Sequence, residues 1–261
     1  MIVLAVTYYD PDGRLYPMMQ TAVPLLTNLF DGFVVNASDV SYQPTLALFR
    51  AHGAIVNRRP NETPAQIGKY RREAVAQAVA MGADFVMLND GDRAAHWVRH
   101  YADELAQAAQ FMQQYDFTVL GRTARAFASH PVVQTETEKL ANRLFATVSG
   151  HAWDVLAAGR GLSRRAAEAV VARSDDGTVG VDTSWPLLLI QLGGFSFGYL
   201  ETEGLEFETA DQFPEAVAAA GGTAAWKAQL DADPKHWLFR LQAAHIEIES
   251  MLPYCRNESG K

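Results

Sequence analysis

Short, uninterrupted apolar runs, each followed by a segment with helical spacing, restrict the possible folds of this chain more than any other feature. Residues 2–7 read Ile-Val-Leu-Ala-Val-Thr, and a run that is apolar at both odd and even positions suits a strand buried on both faces, as in a parallel sheet. It ends in the turn-prone Asp10-Pro11-Asp12-Gly13. Residues 16–30 then read as a helix, 32–36 as a strand closing on Ala37-Ser38-Asp39, 45–51 as a helix and 54–57 as a third strand. The order β-α-β-α-β predicts an α/β fold around a mainly parallel sheet. The best-defined helix follows, with Thr63 as cap, Pro64 in the first turn, and Ile67, Tyr70, Ala74, Ala78 and Met81 recurring at helical spacing until Gly82. Its exit feeds a strand over residues 84–88, which runs straight into Asn89-Asp90-Gly91-Asp92.

The second half is less regular. Residues 96–115 read as a helix and 117–120 as a strand ending in Gly121-Arg122. A helix over 136–148, a flexible crossing over 157–161 and a helix over 163–172 capped by Ser163 come next. After a turn at 174–177, residues 182–191 read as helix and 195–200 as strand. From Asp211 onward the pattern is helical, broken at Gly221-Gly222 and Asp233-Pro234. With 261 residues, 49% of them apolar, the chain can bury one substantial core, which predicts a single α/β unit with a helical tail. The tail carries Trp226, Trp237, Phe239 and Leu241, expected to pack on the core, with a homodimer surface as the alternative.

Charge and cysteine usage exclude several classes. A net charge of −8 and a pI near 5.3 argue against a nucleic-acid partner, which needs clustered Lys and Arg. The pairs Arg71-Arg72 and Arg164-Arg165 read as solvated helix faces. Cys255, the sole cysteine, can form no internal disulfide and sits near no His or Asp partner. No run approaches the roughly 18 apolar residues of a membrane span, and no basic stretch precedes the first strand. The expectation is a cytoplasmic protein whose contact with membrane, if any, is peripheral.

The chemistry concentrates at the end of the fourth strand. Asp90 and Asp92 at i and i+2 in extended backbone point the same way, and Gly91 lets the backbone approach a bound group. Such a pair suits Mg²⁺ or Mn²⁺, hard ions that take oxygen ligands and complete their shell with substrate phosphates. Asn-Asp-Gly-Asp is also an ordinary turn, but ligands of open α/β sheets bind beyond the carboxyl ends of strands, where this one lies. Arg160 offers a planar fork for a phosphate or for a surface salt bridge. His96, His100 and His151 are candidates for a third metal ligand or a proton carrier, with a structural or solvated role as the alternative, and the tryptophans read as core.

A resemblance adds to this reading. The first strand ending near Tyr8-Tyr9-Asp10, the second ending Asn36-Ala37-Ser38-Asp39, and Gly68-Lys69-Tyr70-Arg71-Arg72-Glu73 ahead of Phe85-Val86-Met87-Leu88-Asn89-Asp90-Gly91-Asp92 resemble the family-two glycosyltransferases with the GT-A fold. Gly159-Arg160-Gly161-Leu162-Ser163-Arg164-Arg165 and Asp182-Thr183-Ser184-Trp185-Pro186-Leu187-Leu188 resemble the acceptor side of polyprenyl-phosphate sugar transferases. The resemblance implies a GT-A-like three-layer sandwich, with residues 1–125 as the nucleotide-sugar-binding half, 126–208 as the acceptor-side half and 209–261 as a helical extension. It implies a metal-dependent transfer of sugar from a UDP- or GDP-linked donor to an unidentified acceptor. Asp90 and Asp92 would flank the metal and the diphosphate, and Tyr8, Asp10 and Asp39 would line the nucleoside pocket. Asp182 would stand near the acceptor as base, or else cap its helix.

Two alternatives stay open. Where the family has Asp-x-Glu this chain has Asp182-Thr183-Ser184, which suits a non-catalytic sugar-nucleotide or glycan-binding protein on the same scaffold. A nucleotidyltransferase needs the same paired carboxylates, yet the turn Asp10-Pro11-Asp12-Gly13-Arg14 lacks the Gly-rich phosphate loop it would use.

Overall fold

The N-terminal run forms β1 (Ile2–Tyr8), and its side chains divide between two cores. Leu4, Val6 and Tyr8 enter one, and Val3 and Ala5 the other, so the strand belongs inside the sheet. In the computed structural model, which describes residues 1–60 and 66–255, β1 pairs in parallel with β2 (Gly32–Ser38) and β4 (Phe85–Asp90). Outside β2 lies β3 (Ile55–Arg59), and the sheet continues past β4 with β5 (Phe117–Arg122), β6 (Gly159–Ser163) and β7 (Phe197–Thr202). The spatial order is β3-β2-β1-β4-β6-β5-β7. Among the described strands β6 alone runs antiparallel to its neighbours, β4 and β5.

Helices cover both faces. One core takes in α1 (Tyr16–Leu29), α2 (Gln43–Ala51), α4 (Gly91–His100) and α5 (Ala102–Phe111). The other takes in α3 (Ile67–Ala80), α7 (Val132–Ser149), α8 (Arg164–Arg173) and α9 (Val181–Leu192). This is the expected three-layer α/β sandwich. Ser163 caps α8, its hydroxyl accepting from the Ala166 N–H at 3.3 Å. The expected cap and first turn of α3, Thr63 and Pro64, lie outside the described residues.

Some elements differ from their sequence reading. Residues 96–115 are not one helix, because Tyr101 leaves helical geometry and separates α4 from α5. A short α6 (Ala124–Ser129) precedes α7 and carries no apolar periodicity to announce it. Residues 157–161 are no flexible crossing, since Gly159 to Ser163 is a central strand. A Cβ on Gly161 would stand 2.6 Å from Met112, so glycine there answers crowding by a neighbouring helix end.

Beyond β7 the chain forms α10 (Thr209–Gln212), α11 (Pro214–Ala220), α12 (Thr223–Ala232) and α13 (Pro234–Glu249). Trp226 on α12 is buried against Phe207 and Phe213, and α13 packs along α7. Core packing of the tail is only partial, because Phe239 and Leu241 remain exposed. No helix of the described residues is long and apolar enough to cross a membrane.

Candidate functional site at the strand ends

The strand order reverses between β1 and β4, so their carboxyl ends flank the crevice where open α/β sheets bind ligands. Register sets Thr7 opposite Asp90, and the Thr7 hydroxyl donates to Asp90 Oδ1 at 2.7 Å. Asp90 ends the strand in extended geometry, and α4 begins at the next residue. The period-two reading of Asp90 and Asp92 is therefore corrected: Asp92 lies in the first turn of a helix. Gly91 answers the close approach of β1, since a Cβ would meet the Tyr8 ring at 2.9 Å and the Thr7 carbonyl at 3.2 Å.

Asp90 is already neutralised. Arg71 Nη2 donates to its Oδ2 at 2.8 Å, and Arg71 Nη1 reaches both oxygens of Asp182 at 3.1 Å. Burial alone would raise the Asp90 carboxyl, but Arg71 and Arg93 outweigh it and hold the group below its ordinary range. Arg160 lies behind Asp182, donating to its carbonyl at 3.0 Å and its Oδ1 at 3.3 Å, and to the carbonyls of Gly159 and Val155. At 1% exposure Arg160 is no surface salt bridge; its guanidinium holds Asp182 in place. Asp182 makes no side-chain cap hydrogen bond, although it stands in the first turn of α9; its carboxylate anchors two guanidinium groups.

Asp92 sits in the opposite electrostatic situation. Its Oδ1 accepts from the Arg93 N–H at 2.9 Å, and its Oδ2 accepts from the Gln212 amide. Burial, followed by the charges of Glu208 and Asp90, pushes its carboxyl up to about 7. Glu208 is itself buried, pairing through Oε1 with Arg93 Nε at 3.1 Å, while its Oε2 has no partner. The charges of Glu208 and Asp90 both act on Asp92, and carboxylate oxygens of this kind are the donors that suit a hard divalent cation.

Of the three residues expected around a nucleoside, two are buried and bonded to each other and the third is exposed. Tyr8 is buried with its ring edge-on to Phe49, and its hydroxyl donates to Asp10 Oδ2 at 3.0 Å. Asp10 also accepts from the Arg14 and Leu15 N–H groups, so it closes the turn into α1. Both residues serve the scaffold. Asp39 is exposed at the end of β2, its carbonyl accepting from Arg58 at 2.7 Å. Tyr9, not Tyr8, presents its ring to solvent at 57% exposure.

A cavity of about 590 Å³ opens over these strand ends. Tyr9, Arg59, Arg71, Asp90, Arg93 and Asp182 form its floor, and Phe239, Arg240, Ala243, Ile246 and Glu247 of α13 form a wall. A second groove of about 590 Å³ runs past Asn36, Asn57, Arg58 and Glu73. Arg59 lines both, its guanidinium over the Tyr70 ring. Arg71, read from sequence as a solvated helix face, is 4% exposed. A signal existed: Ile67, Arg71, Ala74 and Ala78 follow the spacing of one helix face, so this arginine interrupts an apolar stripe. For Arg93, Glu208, Gln212 and Arg240 the sequence holds no comparable mark.

Fold and site thus define a GT-A-like α/β protein with a charged, strand-end cavity. No protein-family model matches the chain, and no curated protein matches its sequence. Solved structures do share the fold. Glucosyl-3-phosphoglycerate synthase from Mycobacterium tuberculosis, in complex with Mn²⁺, UDP and phosphoglyceric acid, gives a TM-score of 0.51 at 16% identity, covering 77% of this chain and 68% of that one. The same enzyme with Mn²⁺, UDP-glucose and phosphoglyceric acid gives 0.52 at 16% identity, covering 77% and 69%. At that identity the likeness is one of fold.

Proposed function

We propose that this protein is a metal-dependent glycosyltransferase that takes its sugar from a nucleoside diphosphate sugar. The observation that carries the reading is the strand-end cavity of a GT-A-like fold, whose lining brings the carboxylates Asp90 and Asp182 together with Arg59, Arg71 and Arg93, next to Asp92 at the start of α4. The fold neighbour binds Mn²⁺, UDP-glucose and phosphoglyceric acid. Here Asp92 and Glu208 would hold Mn²⁺ or Mg²⁺, and the bound ion would offset charge developing on the leaving diphosphate. The arginines of the cavity lining, Arg59, Arg71 and Arg93, would bind and orient the diphosphate, and Tyr9 and Asp39 would flank the nucleoside end. UDP is the first donor to test, GDP the second.

Asp182 receives hydrogen bonds from two arginines, Arg71 and Arg160, so its carboxylate is already engaged. An acceptor that is already an anion, a phosphate or a carboxylate, needs no strong base, and Arg240 on the cavity wall suits one. The likeness of residues 159–165 and 182–188 to polyprenyl-phosphate sugar transferases makes a lipid phosphate the specific acceptor to try. Calorimetry with UDP tests the donor side: affinity should rise with Mn²⁺ over chelator, and Asp92→Ala should abolish the gain. Binding that ignores both metal and substitution would sink the assignment.

One observation favours a second reading, a non-catalytic sugar-nucleotide-binding protein. Arg71 ties Asp90 to Asp182, so both carboxylates are engaged before any ligand enters. Release of free UDP from UDP-glucose in the presence of phosphate or carboxylate acceptors decides between transfer and binding.

A further inference from the structure

Away from the Asp90 cluster, α4 carries His96 and His100 at i and i+4, a spacing that brings two imidazoles to one helix face. Their ring centroids are 4.6 Å apart. Asp211 on α10 faces both: its Oδ2 is 2.8 Å from His96 Nδ1 and 3.8 Å from His100 Nε2. One donor atom from each residue falls within 4.8 Å of the others, the one such convergence of three His, Cys, Asp or Glu ligands among the described residues. Around a tetrahedral ion with bonds near 2.0–2.1 Å, neighbouring ligand atoms stand roughly 3.3 Å apart, so small side-chain rotations close the set. His96 is buried, whereas His100 and Asp211 are partly exposed and leave an entry path. Glu206 Oε1 lies 3.4 Å from the other nitrogen of His96, and Tyr101 donates to the same oxygen at 2.9 Å. That is the carboxylate support a metal-bound imidazole commonly has. A His96 ion pair accounts for one imidazole on Asp211, but leaves the second one without a purpose. Arg99, 3.9 Å from Asp211, is the competing cation.

We propose that His96, His100 and Asp211 bind a first-row divalent transition-metal ion at a site separate from the strand-end acidic residues. Two imidazoles and one carboxylate select zinc, cobalt or nickel over the oxygen-seeking magnesium. The ion would fasten α10 to α4. Because Gln212, next to Asp211, donates to Asp92, the ion would also steady that contact between α10 and the start of α4. The proposal stands independently of the glycosyltransferase reading, since its test uses no nucleotide.

The test is titration of the chelator-treated full chain with Co²⁺, followed by visible ligand-field absorption, then displacement by Zn²⁺. The tightest-bound Co²⁺ should give a ligand-field absorption that Zn²⁺ removes, and Zn²⁺ should raise the melting temperature. His100→Ala, at an exposed position, should weaken binding roughly tenfold or more and abolish the thermal shift. Asp211→Asn should do the same, while Asp92→Asn should leave Zn²⁺ affinity within about twofold. Equal affinity in the parent and His100→Ala, or a loss confined to Asp92→Asn, would overturn the proposal.

Discussion

Replacing Arg71 by methionine is the sharpest probe of how the strand-end charges are held. Its side chain is 5% exposed and contacts Asp182, 6% exposed, and Asp90, 24% exposed. Removing one partner of a buried pair typically costs about 3–5 kcal/mol, because a buried charge is left behind. Here Thr7 still donates to Asp90 and Arg160 to Asp182, so the loss belongs at the lower end, about 3 kcal/mol. Against the roughly 5–15 kcal/mol of a domain, the variant still folds. The effect has a pH signature. In the native protein Asp90 titrates below its ordinary 3.8, so its pairing stabilises the fold above that value and is lost as pH falls through the native pKa. Without Arg71 the buried carboxylates resist ionisation, their penalty is largest at neutral pH, and protonation relieves it. Urea unfolding at pH 7 and pH 4 should therefore show a gap of about 3 kcal/mol that narrows on acidification. Adding Asp90→Asn and Asp182→Asn should recover most of it. A gap below about 1 kcal/mol, or one equal at both pH values, would refute the reasoning.

Further expectations follow from single groups. Glu247 is buried, and burial, with Asp182 and Glu138 adding to it, drives its carboxyl well above the ordinary 4.5. Its cost is absent below that value and grows as pH rises toward the native pKa, so Glu247→Gln should raise urea stability at pH 8 and change little at pH 4. Gly68→Ala would press a Cβ to 2.1 Å from the Thr178 carbonyl, and thermal unfolding should report a loss of about 1–3 kcal/mol. Because Asp92 titrates near 7, Mn²⁺ affinity measured by calorimetry should fall about tenfold per pH unit below that value, and Asp92→Ala should flatten the profile.

The alternation of strands and helices was legible because each element declares itself within a few residues. The run at residues 2–7 is apolar on both faces, and a strand with that pattern has to lie inside a parallel sheet. Ser163 before an amphipathic stretch announces a helix start by its own hydroxyl. The failures were of a different kind. Residues 157–161 were read as a crossing because glycines signal freedom in sequence, whereas the packing of Met112 and Leu120 demands Gly161 and Gly159. Tyr101 separates two helices with no proline or glycine to mark the break.

From its sequence alone this chain determined its α/β class, the location of its candidate site beyond β4 and the acidic character of that site. Periodicity and strand-end position are local properties that a linear text preserves. Only the tertiary structure decided which carboxylate is satisfied and which is not. Arg71 reaches Asp182 across 111 positions, and Gln212 reaches Asp92 across 120. Those choices gave Asp90 a guanidinium, left Glu208 with an orphaned oxygen and raised Asp92 toward neutrality. Ionisation depends on burial and on the nearest charges in space, and neither is written in the spacing of residues along the chain.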